Sequence, residues 1–220
     1  CGALEDRRQG RDGVVVAAGA RLWELDHAGR TLSETTLPGA VAGAPAVGRG
    51  GEGGSEVVVP LMSGEIIAIR GGRGMRRIAR LGLPATGGVA IARDGAVWAV
   101  VSDTLHRVDP RDPSRVARVN AALGVPAAFH SPALGHDGLA RFVGIDGSLL
   151  VVEPAGEVEL RVQLDPVQAA SARAGVGLVR PSLGTSLLVD AGGRVAYARG
   201  SGRVGLVLPD GRSALLAAHV

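Results

Sequence analysis

The sequence predicts an all-β fold: a β-propeller of four-stranded antiparallel blades, with about five units in view. Three observations predict it. Short apolar strands alternate with glycine-containing turns from Gly13 onward. The pattern recurs, with onsets at Gly13, Glu56, Gly95, Gly138 and Gly193 that lie 43, 39, 43 and 55 residues apart. That spacing is close to the period of propeller blades, and helical periodicity is nearly absent. One such unit cannot bury both of its faces, whereas units stacked around an axis can.

Each unit holds three long strands. The copies are "GVVVAAGARLWELDHAGRTLSETTL", "EVVVPLMSGEIIAIRGGRGMRRIARL", "GAVWAVVSDTLHRVDPRDPSRVARVN", "GLARFVGIDGSLLVVEPAGEVELRVQL" and "GRVAYARGSGRVGLVLPDGRSALLAAHV". Val, Ile and Leu dominate them, as suits a pleated surface. Asp-Gly, Ser-Gly and Gly-Gly pairs mark the turns, because Gly accepts positive φ. The long gap before Gly193 holds "DPVQAASARAGVGLVR" (Asp165–Arg180), which reads as an inserted loop with one helical turn.

A shorter fourth strand lies between copies: "GAPAVG", "GGVAIARDG", "HSPALGHDG" and "PSLGTSLLVDAGG". Its small residues (Gly43, Ala44, Gly87, Gly88, Ala133) suit the crowded position near the axis. Pro45 and Pro132 come at its start, where a missing N–H does least damage. The first unit shows no such strand, since "CGALEDRRQGRDG" is polar. The expected domains are therefore a polar tether over 1–12 and a propeller over 13–220. Five sets of long strands meet only four inner strands. The missing strand would come from further chain, from a partner, or be absent from the ring.

Composition excludes several function classes. Aromatic residues make up 2% of the chain, so stacking platforms for bases are not expected. The net charge is +3, every basic residue is Arg, and acidic residues are interspersed. Nucleic-acid binding is not expected from such a balance. The densest basic run is "RGMRRIAR", with Arg73, Arg76, Arg77 and Arg80. It reads as a solvated outer strand, with a patch for a protein partner or anionic lipid as the sharper alternative. No run of about 20 apolar residues occurs. The single cysteine, Cys1, leaves no intrachain disulfide. A mature bacterial lipoprotein starts at such a cysteine, with the lipid attached there. A domain cut gives the same start.

Candidate chemistry is sparse. Asp103, His106 and Asp109 look like a cluster, but strand alternation turns His106 and Asp109 to opposite faces. His130 and His136 flank an inner strand and would sit at its opposite ends. His27 and His219 read as solvated. Asp26, Asp109 and Glu153 recur at the end of the second long strand, where short acidic side chains cap turns. Asp137 and Asp146 precede Gly in hairpins. No D-x-D-x-D-G run points to calcium. Ser63, Ser131 and Ser201 have no nucleophile-elbow context.

"SPALGHDG", "GIDGSLLVVEP" with "AGEVEL", and "APAVG…EVVVPLMSGEIIAI" resemble the quinoprotein-type, or PQQ-like, propeller repeat. "DGAVWAVVSDTLHRVDP" is also similar to the streptogramin-lyase and NHL groups. The resemblance covers Gly13 to the C-terminus. It departs from the PQQ-like pattern in one respect. The docking Trp at the end of the third strand is missing from every copy, so aliphatic contacts are expected to lock the blades. A quinone-dependent dehydrogenase would need calcium-coordinating Asn and acidic residues and a Trp floor. Asn120 is the only Asn, so no cofactor is expected. The resemblance to outer-membrane assembly lipoproteins implies a non-catalytic scaffold for protein partners in the periplasm or envelope. The alternatives are a lyase- or lactonase-like enzyme with a channel site near His130 and His136, and a ligand-sensing domain of a larger signalling chain.

Overall fold

The computed structural model describes residues 2–6, 11–49, 55–70, 74–85, 87–101, 104–112, 116–119, 131–144, 147–155, 157–164, 186–198 and 203–218. These form twenty strands in five four-stranded antiparallel sheets. Blade 1 holds β1 (Gly2–Asp6), β2 (Arg11–Ala18), β3 (Arg21–Asp26) and β4 (Thr31–Thr36). Blade 2 holds β5 (Ala46–Arg49), β6 (Ser55–Pro60), β7 (Glu65–Arg70) and β8 (Gly74–Arg80). Blade 3 holds β9 (Val89–Ile91), β10 (Val97–Val101), β11 (Thr104–Val108) and β12 (Val116–Val119). Blade 4 holds β13 (Ala133–Leu134), β14 (Ala140–Val143), β15 (Ser148–Val152) and β16 (Val158–Gln163). Blade 5 holds β17 (Ser186–Val189), β18 (Val195–Ala198), β19 (Arg203–Val207) and β20 (Ser213–Ala218).

One expectation fails at the start of the chain. The polar tether over 1–12 is not what the structure shows: Gly2–Asp6 forms β1 and pairs with Arg11–Val15. Blade 1 therefore has its inner strand. Polarity misled because backbone hydrogen bonds, not side chains, make the ladder. The Asp165–Arg180 insertion lies outside the described residues.

The blades pack face to face because the middle strands are apolar on both sides. Successive side chains of a strand point to opposite faces. In β10, Val97 and Ala99 join Val58, Ile66 and Ala68 in the seam between blades 2 and 3. Trp98 and Val100 of the same strand join Ala140, Phe142, Leu150 and Val152 in the seam between blades 3 and 4. Val15 and Leu22 meet Val57, Val59, Ile67 and Ile69 between blades 1 and 2. Val143 and Leu149 meet Val195, Tyr197 and Val207 between blades 4 and 5. Aliphatic contact alone does not lock the blades. Among the described residues, Trp98 and Phe142 are the largest fully buried side chains, and Trp98 reaches its seam from β10, a strand where the repeat pattern does not place a Trp.

The inner ends approach backbone to backbone. Ala44 and Gly88 form a parallel bridge between blades 2 and 3. A Cβ at Gly43 would stand 2.6 Å from the Gly87 carbonyl, so only glycine fits there.

Among the described residues, seven hairpins share one turn. Its first residue donates to the carbonyl four residues on, and its fourth, a glycine, donates back to the first residue's carbonyl. Those glycines (Gly29, Gly64, Gly95, Gly138, Gly147, Gly193 and Gly211) have φ of 77–86°. This is a type I turn closed by a left-handed bulge residue, rather than a two-residue hairpin.

Phe142→Ala is expected to lower unfolding free energy by about 3–5 kcal/mol, read from urea denaturation followed by circular dichroism. A loss below about 1 kcal/mol would show that the seam between blades 3 and 4 does not hold the fold.

Candidate functional site

The Asp-Gly turns consume the acidic side chains. Asp26 Oδ1 accepts the N–H groups of Ala28 and Arg30 at 2.9 and 2.8 Å, and Arg30 Nε donates to Oδ2 at 2.8 Å. "DAGGR" repeats the device. Asp190 Oδ1 accepts Gly192 and Arg194 N–H, each at 2.9 Å, and Arg194 Nε binds Oδ2. Asp94, Asp137 and Asp210 sit two residues later in their turns and accept the N–H of Ala96, Leu139 and Arg212. Asp109 caps Arg111 N–H at 2.9 Å. The capping expected of Asp26, Asp109 and Asp137 is therefore present.

These bonds favour the ionised carboxylates. The Arg30 amide holds Asp26 below the usual range, the Arg141 guanidinium does so for Asp137, and that of Arg194 for Asp190. Burial pushes Asp94 up, but the Ala96 amide and Arg107 outweigh it.

His106 and Asp109, near in sequence, take separate places. His106 is buried on β11, opposite Ala99 and on the same face as Val108, which belongs to the seam between blades 2 and 3. Asp109 lies beyond the strand end in its cap. Asp103, Asp146, His130 and His219 lie outside the described residues, as do Cys1 and Arg73. His27 and His136 stand on exposed turns. Among the described residues, no three His, Cys, Asp or Glu side chains come together to hold a metal.

The arginine run becomes β8, the outer strand of blade 2. Arg77 Nη1 donates to Glu65 Oε1 at 2.8 Å, and that bond lowers the Glu65 pKa. Arg76 Nη2 binds the buried Glu56 at 3.0 Å, while Nη1 donates to the Pro110 carbonyl of blade 3 at 2.6 Å. Arg76 thus ties two blades at the rim. Arg80 is exposed and lies opposite Glu65 in register.

Sequence reasoning missed Arg141. Its side chain is 4% exposed, and it faces blade 5. Asp137 receives its Nη1 at 3.0 Å and its Nη2 at 2.5 Å. A cleft of about 340 Å³ opens beside the pair, between the turns of blades 4 and 5. The signal was present: Asp137 and Arg141 are four apart, as are Asp26 with Arg30 and Asp190 with Arg194.

No family model matches the chain, and neither does any curated protein. Solved structures do. A streptogramin B lyase superposes with a TM-score of 0.73 at 14% identity, over 100% of this chain and 68% of its own. A calcium-binding regucalcin from Agrobacterium tumefaciens gives 0.60 at 18% identity, over 97% of this chain and 72% of its own. BBS1N, solved in complex with ARL6DN, gives 0.63 at 15% identity, over 95% of this chain and 63% of its own. At such identities the likeness shows the fold: the chain is an all-β propeller-type structure.

Two outcomes follow from this geometry. The turn carboxylates have pKa values held below those of the unfolded chain. The stability they contribute is therefore full above about pH 4 and is lost as pH falls through their lowered values. The urea midpoint should stay level from pH 8 to pH 5 and drop below pH 4; a midpoint that rises on acidification contradicts the turn bonding. Arg76→Met should cost about 1 kcal/mol, because Pro110 loses a donor and Glu56 a counter-charge. Arg93→Met, at an exposed turn position of blade 3, serves as control in the same denaturation series.

Proposed function

We propose that this chain is a non-catalytic propeller scaffold that binds protein partners in the bacterial cell envelope. The observation that carries the reading is the use of the polar side chains. The turn aspartates bind backbone amides and arginines within their own blades, and Glu56 and Glu65 bind β8 arginines. Among the described residues, these carboxylates hold turns and rims. What remains is a rigid frame with charged outer strands, which suits recognition. BBS1N in its complex with ARL6DN supports the reading by analogy of fold.

The docking surface we assign is the outward edge of β8, with Arg76, Arg77 and Arg80. A partner presenting acidic side chains fits it. Lipid headgroups are the alternative source of negative charge.

The likeness to the lyase favours one rival, an enzyme with a site near His130 and His136. One experiment separates the readings. A photo-crosslinking residue replaces Arg80 in the full chain within its native envelope, and a second replaces Arg161 on β16. A discrete protein adduct at position 80, absent at 161 and abolished by Arg77→Glu, supports the scaffold. Lipid adducts only, or stoichiometric bound metal that His130→Ala removes, overturn it.

A further inference from the structure

The four seams are not equal. Trp98 lies opposite Ala90 in blade 3, and Arg141 lies opposite Ala133 in blade 4, so the two hold equivalent places. Trp98 fills the seam between blades 3 and 4. Arg141 puts a guanidinium into the seam between blades 4 and 5. Its Nε is buried without an acceptor. A buried donor left without a partner costs about 1–3 kcal/mol.

Neighbouring geometry makes the Asp137–Arg141 pair the contact between the two blades at that end. Gly193, in the first turn of blade 5, lies over the pair. A Cβ there would stand 3.3 Å from Asp137 Oδ2 and 3.4 Å from Arg141 Nη2. On the other side a Cβ at Gly135 would strike Arg141 Nη1. The adjoining cleft of about 340 Å³ leaves part of the seam unfilled, so its lining lacks contacts that a packed seam has. Glu159 and Asp210 also line this cleft, and Arg212 binds Asp210.

We propose that the seam between blades 4 and 5 opens as a unit ahead of the rest of the fold, with the Asp137–Arg141 pair as its catch. The energetics run in one direction. Opening the seam between blades 3 and 4 exposes the large apolar surfaces of Trp98 and Phe142 and returns to water one neutral donor, Trp98 Nε1, but no charge. Opening the next seam also exposes apolar residues, but it returns to water a buried guanidinium with an orphaned Nε, whose carboxylate partner is already partly exposed. Desolvation of such a pair offsets most of its attraction, so the closed seam holds by a narrow margin. Removing only Asp137 leaves a buried charge uncompensated and tips the seam open. Removing both charges closes it.

Hydrogen exchange on the full chain at pH 7, read by mass spectrometry on peptides from each blade, tests this. Asp137→Asn should speed exchange in β18 and β19 about tenfold and leave β6 and β10 unchanged. Arg141→Met should slow β18 and β19, and the double variant should match Arg141→Met. The proposal fails if Asp137→Asn alters all blades alike or none, or if the double variant stays fast. If Asp137→Asn does not fold, Arg141→Met alone decides: exchange in blade 5 that is unchanged or faster overturns the joint.

Discussion

The architecture depends on two-sided burial of the middle strands. A strand sends alternate side chains to opposite faces, so one apolar strand serves two seams at once. β10 shows this within five residues: Val97 and Ala99 serve one seam, Trp98 and Val100 the next. A slip of one residue in pairing would exchange the two sets and mismatch both seams. Register is therefore fixed twice over, from either side. That double constraint explains why β10 and β15 are buried at every position, with no polar face for solvent. Polar residues collect instead in turns and on outer strands such as β4 and β16, where one side faces water.

Turn chemistry supplies the second half of the specification. The shared turn needs a residue that accepts positive φ at its fourth position, and glycine stands there in all seven cases. An aspartate placed first or third then satisfies an amide that the turn leaves free. This is why strand pairing and turn positions were legible in the sequence: both rest on local rules with one-residue resolution. The inner strands were legible for a steric reason, since the close approach at Gly43 and Gly87 admits no side chain. β1 was not legible. Only Ala3 and Leu4 of its five residues are apolar and a polar stretch follows, so hydropathy alone does not mark a strand that the backbone ladder pairs.

The candidate site was less legible than the fold, and the residues show why. His106 and Asp109 are near in sequence, but strand geometry separates them and each takes a local role. Arg141 is the reverse case. An arginine amid "GLARFVGI" reads as an outward side chain, yet the alternation that sends Phe142 to one seam sends Arg141 into the other. Its burial becomes visible only when both neighbours of blade 4 are placed. The Asp–Arg spacing of four residues marks the pairing but not its depth, for Arg30 and Arg194 make the same bond on the surface.

Charge at a seam has different consequences according to where its counter-charge sits. Arg76 reaches across blades: it binds Glu56 in its own sheet and a backbone carbonyl in the next, so it closes its seam from the rim while its head stays partly in water. Such a contact adds stability at small desolvation cost. Arg141 binds within its own blade, and blade 5 only rests on the finished pair through Gly193. It contributes no hydrogen bond across the seam among those assigned to it, yet it displaces apolar filling. The same residue type thus fastens one seam and loosens another. The difference follows from burial and partner geometry, and counting arginines in the sequence does not reveal it. The proposed joint between blades 4 and 5 rests on that difference.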